Sequence, residues 1–156
     1  MSQLSTLLSE ISAEDREWWL EAGTERQVIA NTILIQEGKA VKSLIVVLQG
    51  LLSVRLVGLG EKDIALLGPG ELLGEMSFLE GKPASASIVA RENSLVLEVS
   101  VAVLEGKLAS DAGFAVRFYR AISVAQANRL RNTMGKFSFE LQDLTQSMSD
   151  MQGTGG

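Results

Sequence analysis

Between Gly70 and Ala90 the chain reads GELLGEMSFLEGKPASASIVA. Two glycines each lead into a glutamate, a short apolar turn follows, and Lys82-Pro83 opens into small residues ahead of a β-branched run. Such a stretch suggests a pocket built from backbone, with one carboxylate inside it. Glycine at 74 lets backbone come close to whatever the pocket holds. A short helix after it would present unpaired N–H groups, which suit an anion. No arginine stands among the small residues after Pro83. Glu71 and Glu75 are four residues apart, but a loop gives them no assured common face for acid–base work.

The rest of the composition narrows the chemistry further. The 156 residues include no cysteine and no histidine. Disulfides, zinc–thiolate sites and Ser-His or Cys-His nucleophiles are thereby excluded. No metal site is expected, and the reading is that the chain is not an enzyme and carries no cofactor. Net charge is −5, a poor starting point for DNA, whose affinity comes largely from phosphate neutralisation. Residues 111–137 are an exception, with Arg117, Arg120, Arg129, Arg131 and Lys136 against the single acid Asp111. A solvated helix face is preferred there over a nucleic-acid patch. No apolar run approaches the roughly 20 residues of a membrane helix, and the start lacks a basic signal-peptide region. The expectation is a cytoplasmic protein with no membrane contact.

The elements that must position the pocket are legible as a change of texture. Ser12-Ala-Glu-Asp15 has the form of a helix start, and the helix is expected to end at Gly23 with Trp18 and Trp19 packed on the main body. From Gln27 to Val99, short β-branched runs alternate with glycine. They are QVIA, TILIQ, LIVVLQ, LLSVRLV, DIALL, SASIVA and SLVLEV. Leu44 to Leu48 is apolar on both faces, as in a central strand. Leu52, Val54 and Leu56 alternate with Ser53 and Arg55, which predicts a half-buried strand with those two outward. Pro69-Gly70 fits the middle of a type II turn. Strands at this spacing suggest a sandwich, jelly roll or barrel over about 27–99. Helices follow over 100–137, one capped by Ser100 and a long one capped by Asp111.

Within the long helix, Ala127, Leu130, Met134, Phe137, Leu141, Leu144, Met148 and Met151 recur at alternating intervals of three and four, the seam of a coiled coil. A second stripe, Phe114, Phe118, Ala121 and Ala125, is available to face the barrel. The expectation is a parallel homodimer through the seam, with residues 138–156 forming a coiled-coil extension and a Gly-rich tail beyond a domain of residues 1–137. Gly135 is expected to mark a break in the helix.

With these elements placed, the chain resembles the cyclic-nucleotide-binding domain of the catabolite-activator and protein-kinase-regulatory type. The resemblance rests on Ile35-Gln-Glu-Gly38, Gly50 after LIVVLQ, the cassette Gly74-Glu75-Met76-Ser77-Phe78, Pro83-x-Ser85-Ala86-Ser87, SLVLEV, FYRAI and Arg129-Leu130-x-x-Thr133. It implies a mainly β protein, a small β-jelly roll flanked by an N-terminal helix and a long C-terminal helix. It also implies a non-enzymatic regulator or sensor that signals to an unidentified protein partner. The implied ligand is cyclic AMP or cyclic GMP, with Glu75 accepting from a ribose hydroxyl, Ser85 and the N–H of Ala86 donating to the phosphate, and Thr133 near the base. Members that bind these nucleotides place an arginine at the position of Ala84. Three readings stay open: weak nucleotide binding, a less anionic ligand, or none, in which case the chain is a ligand-free dimeric scaffold. Direct DNA binding is not expected, because too few residues follow Phe137 for a helix–turn–helix domain.

Overall fold

The computed structural model describes residues 11–153. The chain divides into two compact units, Met1–Ala121 and Ile122–Gly156. The first opens with helix α1 (Ala13–Ala22), whose cap Ser12 accepts the Asp15 N–H at 3.2 Å and which ends at Gly23. Strands β1 (Thr24–Val28), β2 (Ile33–Ile35), β3 (Ser43–Gln49) and β4 (Leu52–Arg55) follow, then a 3-10 turn at Val57–Leu59, β5 (Ala65–Leu67) and β6 (Leu72–Leu73). Helix α2 (Glu75–Glu80) separates these from β7 (Ser87–Ala90) and β8 (Ser94–Ser100). Helices α3 (Val101–Ser110) and α4 (Ala112–Gln152) complete the order.

Two four-stranded antiparallel sheets, ordered β1-β8-β3-β6 and β2-β7-β4-β5, make the expected jelly roll. The strands begin at Thr24 and end at Ser100, slightly beyond the predicted 27–99. Strand β3 is interior to its sheet, and Leu44, Ile45, Val46 and Val47 are all buried. This matches their uninterrupted apolar run. The core joins both sheets through Ile35, Ile45, Val47, Leu52, Leu73, Ile88 and Val96, among others. Gly70 has φ +90°, and the Glu71 N–H reaches the Gly68 carbonyl at 3.2 Å, as a Pro-Gly type II turn requires.

Two local expectations are corrected. Ser53 is fully buried, not solvent-facing. Its hydroxyl donates to Asp63, which also takes Arg55 at 3.2 Å and Arg91 at 2.5 Å. These groups cover the outer face of β4 and satisfy the buried hydroxyl, so alternation of residue type does not become alternation of burial there. Gly135 does not interrupt α4, which is continuous from Ala112 to Gln152. One glycine costs a helix interior about 1 kcal/mol, which is small beside the cooperativity of a helix this long.

The start of α4 is anchored as its sequence suggests. Asp111 Oδ1 accepts the Phe114 N–H at 3.0 Å, and this bond, with Lys107 beside it, holds the Asp111 carboxyl below its ordinary range. Phe114, Phe118 and Ala121 are buried. Trp18 meets Phe114 edge-on with centroids 4.9 Å apart, and Trp19 stacks on Phe118 at 5.9 Å. Asp15, read from sequence only as part of a helix start, is buried and takes two hydrogen bonds from Arg117, at 2.7 and 3.0 Å. That pair lowers the Asp15 carboxyl and raises the Arg117 guanidinium. In the second unit, every member of the seam from Ala127 to Met151 is exposed.

Candidate ligand cassette

Strand β6 ends at Leu73, a core residue, and the chain then turns sharply into α2. Gly74 makes the turn with φ +86°, a left-handed conformation that glycine adopts without steric cost. A side chain there would also have no room. A Cβ on Gly74 would lie 3.0 Å from Val41 Cγ1 and 3.2 Å from the Ser43 carbonyl oxygen. The close approach that requires glycine is therefore to the entry of β3, whereas the sequence had suggested an approach to a ligand.

Glu75 follows in the first turn of α2 and is buried. Ser77 is half-buried and its carbonyl accepts the Gly81 N–H at 2.8 Å, closing the helix. Met76 is half exposed. On the following segment Ala84 is buried and belongs to the same core cluster as Leu73 and Ile35. Its backbone is clamped to the preceding loop: the Ala84 N–H donates to the Lys39 carbonyl at 2.9 Å and its own carbonyl accepts the Gly38 N–H at 2.8 Å. Ser85 is exposed and Ala86 half-buried, while the Ser87 hydroxyl accepts the Glu37 N–H at 3.0 Å. The fold thus gathers Gly74 and Ala84 around the Ile35–Ser43 segment. Thr133 lies in the other unit, with its hydroxyl donating to the Arg129 carbonyl one turn back at 3.0 Å.

The cations considered as substitutes for an arginine at position 84, Lys82, Arg55 and Arg91, are engaged elsewhere. Lys82 is exposed and pairs with Glu80 at 3.2 Å. Arg55 and Arg91 both converge on Asp63. Hydrogen bonds from Ser53 and Arg55, with the charge of Arg91, hold the Asp63 carboxyl low. Sequence reasoning missed this cluster because its members are spread from position 53 to 91.

A further contact, also missed, joins the cassette to the helices. Phe78 of α2 meets Phe118 of α4 edge-on, with ring centroids 6.0 Å apart. Phe118 in addition touches Trp19, Phe114 and Tyr119. The ring stands at the junction of α1, α2 and the base of α4. The signals for it were its place in the Phe114-Phe118 stripe and at the head of FYRAI, with Phe78 at the end of the cassette motif.

The family model described as the cyclic nucleotide-binding domain matches residues 25–111, more than half of the chain. The chain belongs to the cyclic-nucleotide-binding-domain family. A cyclic nucleotide-binding domain from Methylobacillus flagellatus superposes with a TM-score of 0.76 at 21% identity, covering 88% of this chain and 83% of that one. The catabolite activator protein of Thermus thermophilus gives 0.67 at 29% identity, covering 90% of this chain and 63% of that one, so the chain spans less than two thirds of that regulator. The regulatory subunit of a cAMP-independent protein kinase A from Trypanosoma brucei gives 0.57 at 20% identity, covering 64% and 37%. No curated protein sequence matches. Members of this family are regulatory domains. Among the described residues no helix is long and apolar enough to cross a membrane.

Proposed function

We propose that this member of the cyclic-nucleotide-binding-domain family is a non-enzymatic sensor that passes the state of its cassette to α4, and through α4 to a protein partner. The observation that carries the reading is the Phe78–Phe118 contact, which ties α2 directly to the base of α4. A ligand that moved α2 would have to repack Phe118 against Trp19 and Phe114 as well. Such coupling requires a ligand with different affinities for two positions of α4. The exposed seam from Ala127 to Met151 supports a homodimer, since a narrow apolar stripe on a long helix gains by burial against a second copy.

In this reading cyclic AMP or cyclic GMP binds weakly. An arginine on the phosphate contributes about 1.5–3 kcal/mol, and here a buried alanine occupies its position. The engagement of Lys82, Arg55 and Arg91 with carboxylates supports the same view. It equally favours the second reading, a dimeric scaffold that keeps the fold and has lost the ligand. Thermal unfolding with each nucleotide separates the two, because a ligand that binds only the folded state raises Tm by mass action. A sensor gains several degrees at millimolar nucleotide; no change in Tm with either nucleotide leaves only the scaffold.

A further inference from the structure

A concave site adjoins the loop against which the cassette packs. A cleft of about 420 Å³ opens between the β1-β8-β3 side of one sheet and β2 of the other. Its volume falls within the roughly 300–1,000 Å³ typical of small-molecule sites. Buried Ile35 and Ile45 form an apolar floor. Around it stand three cationic side chains, Arg26, Lys39 and Lys42, with one carboxylate, Glu98. Glu98 is already paired with Arg26 at 3.0 Å, through one of the five donors of the guanidinium. Lys39 and Lys42 have no ion-pair partner among the described residues. Gln36 and Ser43 add neutral hydrogen-bonding groups to the wall. In a chain of net charge −5, a concavity with surplus positive charge concentrates small anions.

We infer that this cleft binds a small polyanion, of the phosphate-ester or pyrophosphate class, gripped by Lys39 and Lys42 with Arg26 as third donor. Two unpaired ammonium groups match a ligand carrying two or more negative charges. A ligand with a single charge would leave one of them unused. The site is distinct from the cassette yet joined to it. The Lys39 carbonyl accepts the Ala84 N–H, and Val41 and Ser43 form the surface on which Gly74 packs. An anion held by this loop therefore stiffens the wall against which both ends of the cassette rest. The inference does not require that the cassette itself be occupied.

The test is an NMR titration of the full chain with inorganic pyrophosphate at constant ionic strength. Saturable amide shifts are expected over Gln36–Ser43, with a smaller one at Ala84 through its bond to Lys39. The double variant Lys39→Gln/Lys42→Gln should bind about tenfold or more weakly, as removal of charge-assisted bonds implies. Lys62→Gln, which removes an exposed lysine outside the cleft, should leave affinity within about twofold. A titration that does not saturate, shifts scattered over all basic residues, or equal affinity in the double variant would each overturn the assignment. None of these readouts depends on whether a cyclic nucleotide binds, so the two proposals fail separately.

Discussion

Three glycine-to-alanine substitutions should have three different effects on stability. At Gly74 the backbone has φ +86°, and holding an L-residue in the left-handed region costs about 1–2 kcal/mol. The new methyl would also sit 3.0 Å from Val41 Cγ1 and 3.2 Å from the Ser43 oxygen. Relieving such overpacking adds about 1–3 kcal/mol, because the backbone oxygen cannot swing aside as a flexible side chain can. Gly74→Ala should therefore cost about 2–5 kcal/mol. Gly81 has φ +66° but nothing within 4 Å of its Cβ, so Gly81→Ala should cost only the conformational share. Gly135 lies inside α4 with ordinary helical backbone and open space, and Gly135→Ala should stabilise by up to about 1 kcal/mol. Urea unfolding of the three variants beside the native chain measures all of this, and about 1 kcal/mol corresponds to 2–4 °C in Tm at this size. If Gly74→Ala were no worse than Gly81→Ala, the packing of Gly74 on β3 would be refuted as the reason for its glycine.

Other outcomes follow from the same structure. Asp15 has its carboxyl lowered in the folded state by the Arg117 bonds. Its contribution is thus present above the unfolded carboxylate value, near pH 4, and is lost as pH falls through the lower folded value. Urea midpoints measured from pH 6 to pH 2.5 should fall less steeply for Asp15→Asn than for the native chain; parallel curves would contradict the pair's role. Phe118→Ala removes a buried ring and should cost about 3–5 kcal/mol, read by urea unfolding, whereas a loss below 1 kcal/mol would show that the junction of α1, α2 and α4 does not depend on it. Leu141→Ala with Leu144→Ala should shift the sedimentation coefficient to that of a monomer. Phe139→Ser, which is exposed but off the seam, should leave it unchanged.

The legible parts of the sequence were those whose causes are local. Ser12 and Asp111 cap helices within three residues of themselves, and Pro69-Gly70 makes a turn from its own dihedral preferences. The unbroken apolar run of β3 announced an interior strand, and the short helix expected after Gly74 is α2. What stayed hidden is long-range. Asp15 finds Arg117 across 102 positions, and no spacing rule relates them. Ser53 looked like an outward residue because its alternation was visible and Asp63, across the β4–β5 hairpin, was not. Gly74 was correctly marked as special, but its neighbour on β3 was out of sight. Ala84 could be seen to lack an arginine; that its backbone is clamped to Gly38 and Lys39 could not.

Titration calorimetry with cyclic AMP and cyclic GMP, on the native chain and on Ala84→Arg, reads out whether the missing arginine is what weakens the cassette. The apolar stem of an arginine can lie along buried surface while its charged head stays polar, so the variant supplies the cation that position 84 lacks. The variant should bind at least about tenfold more tightly than the native chain. Tight binding by the native chain, unimproved or weakened by the arginine, would contradict it.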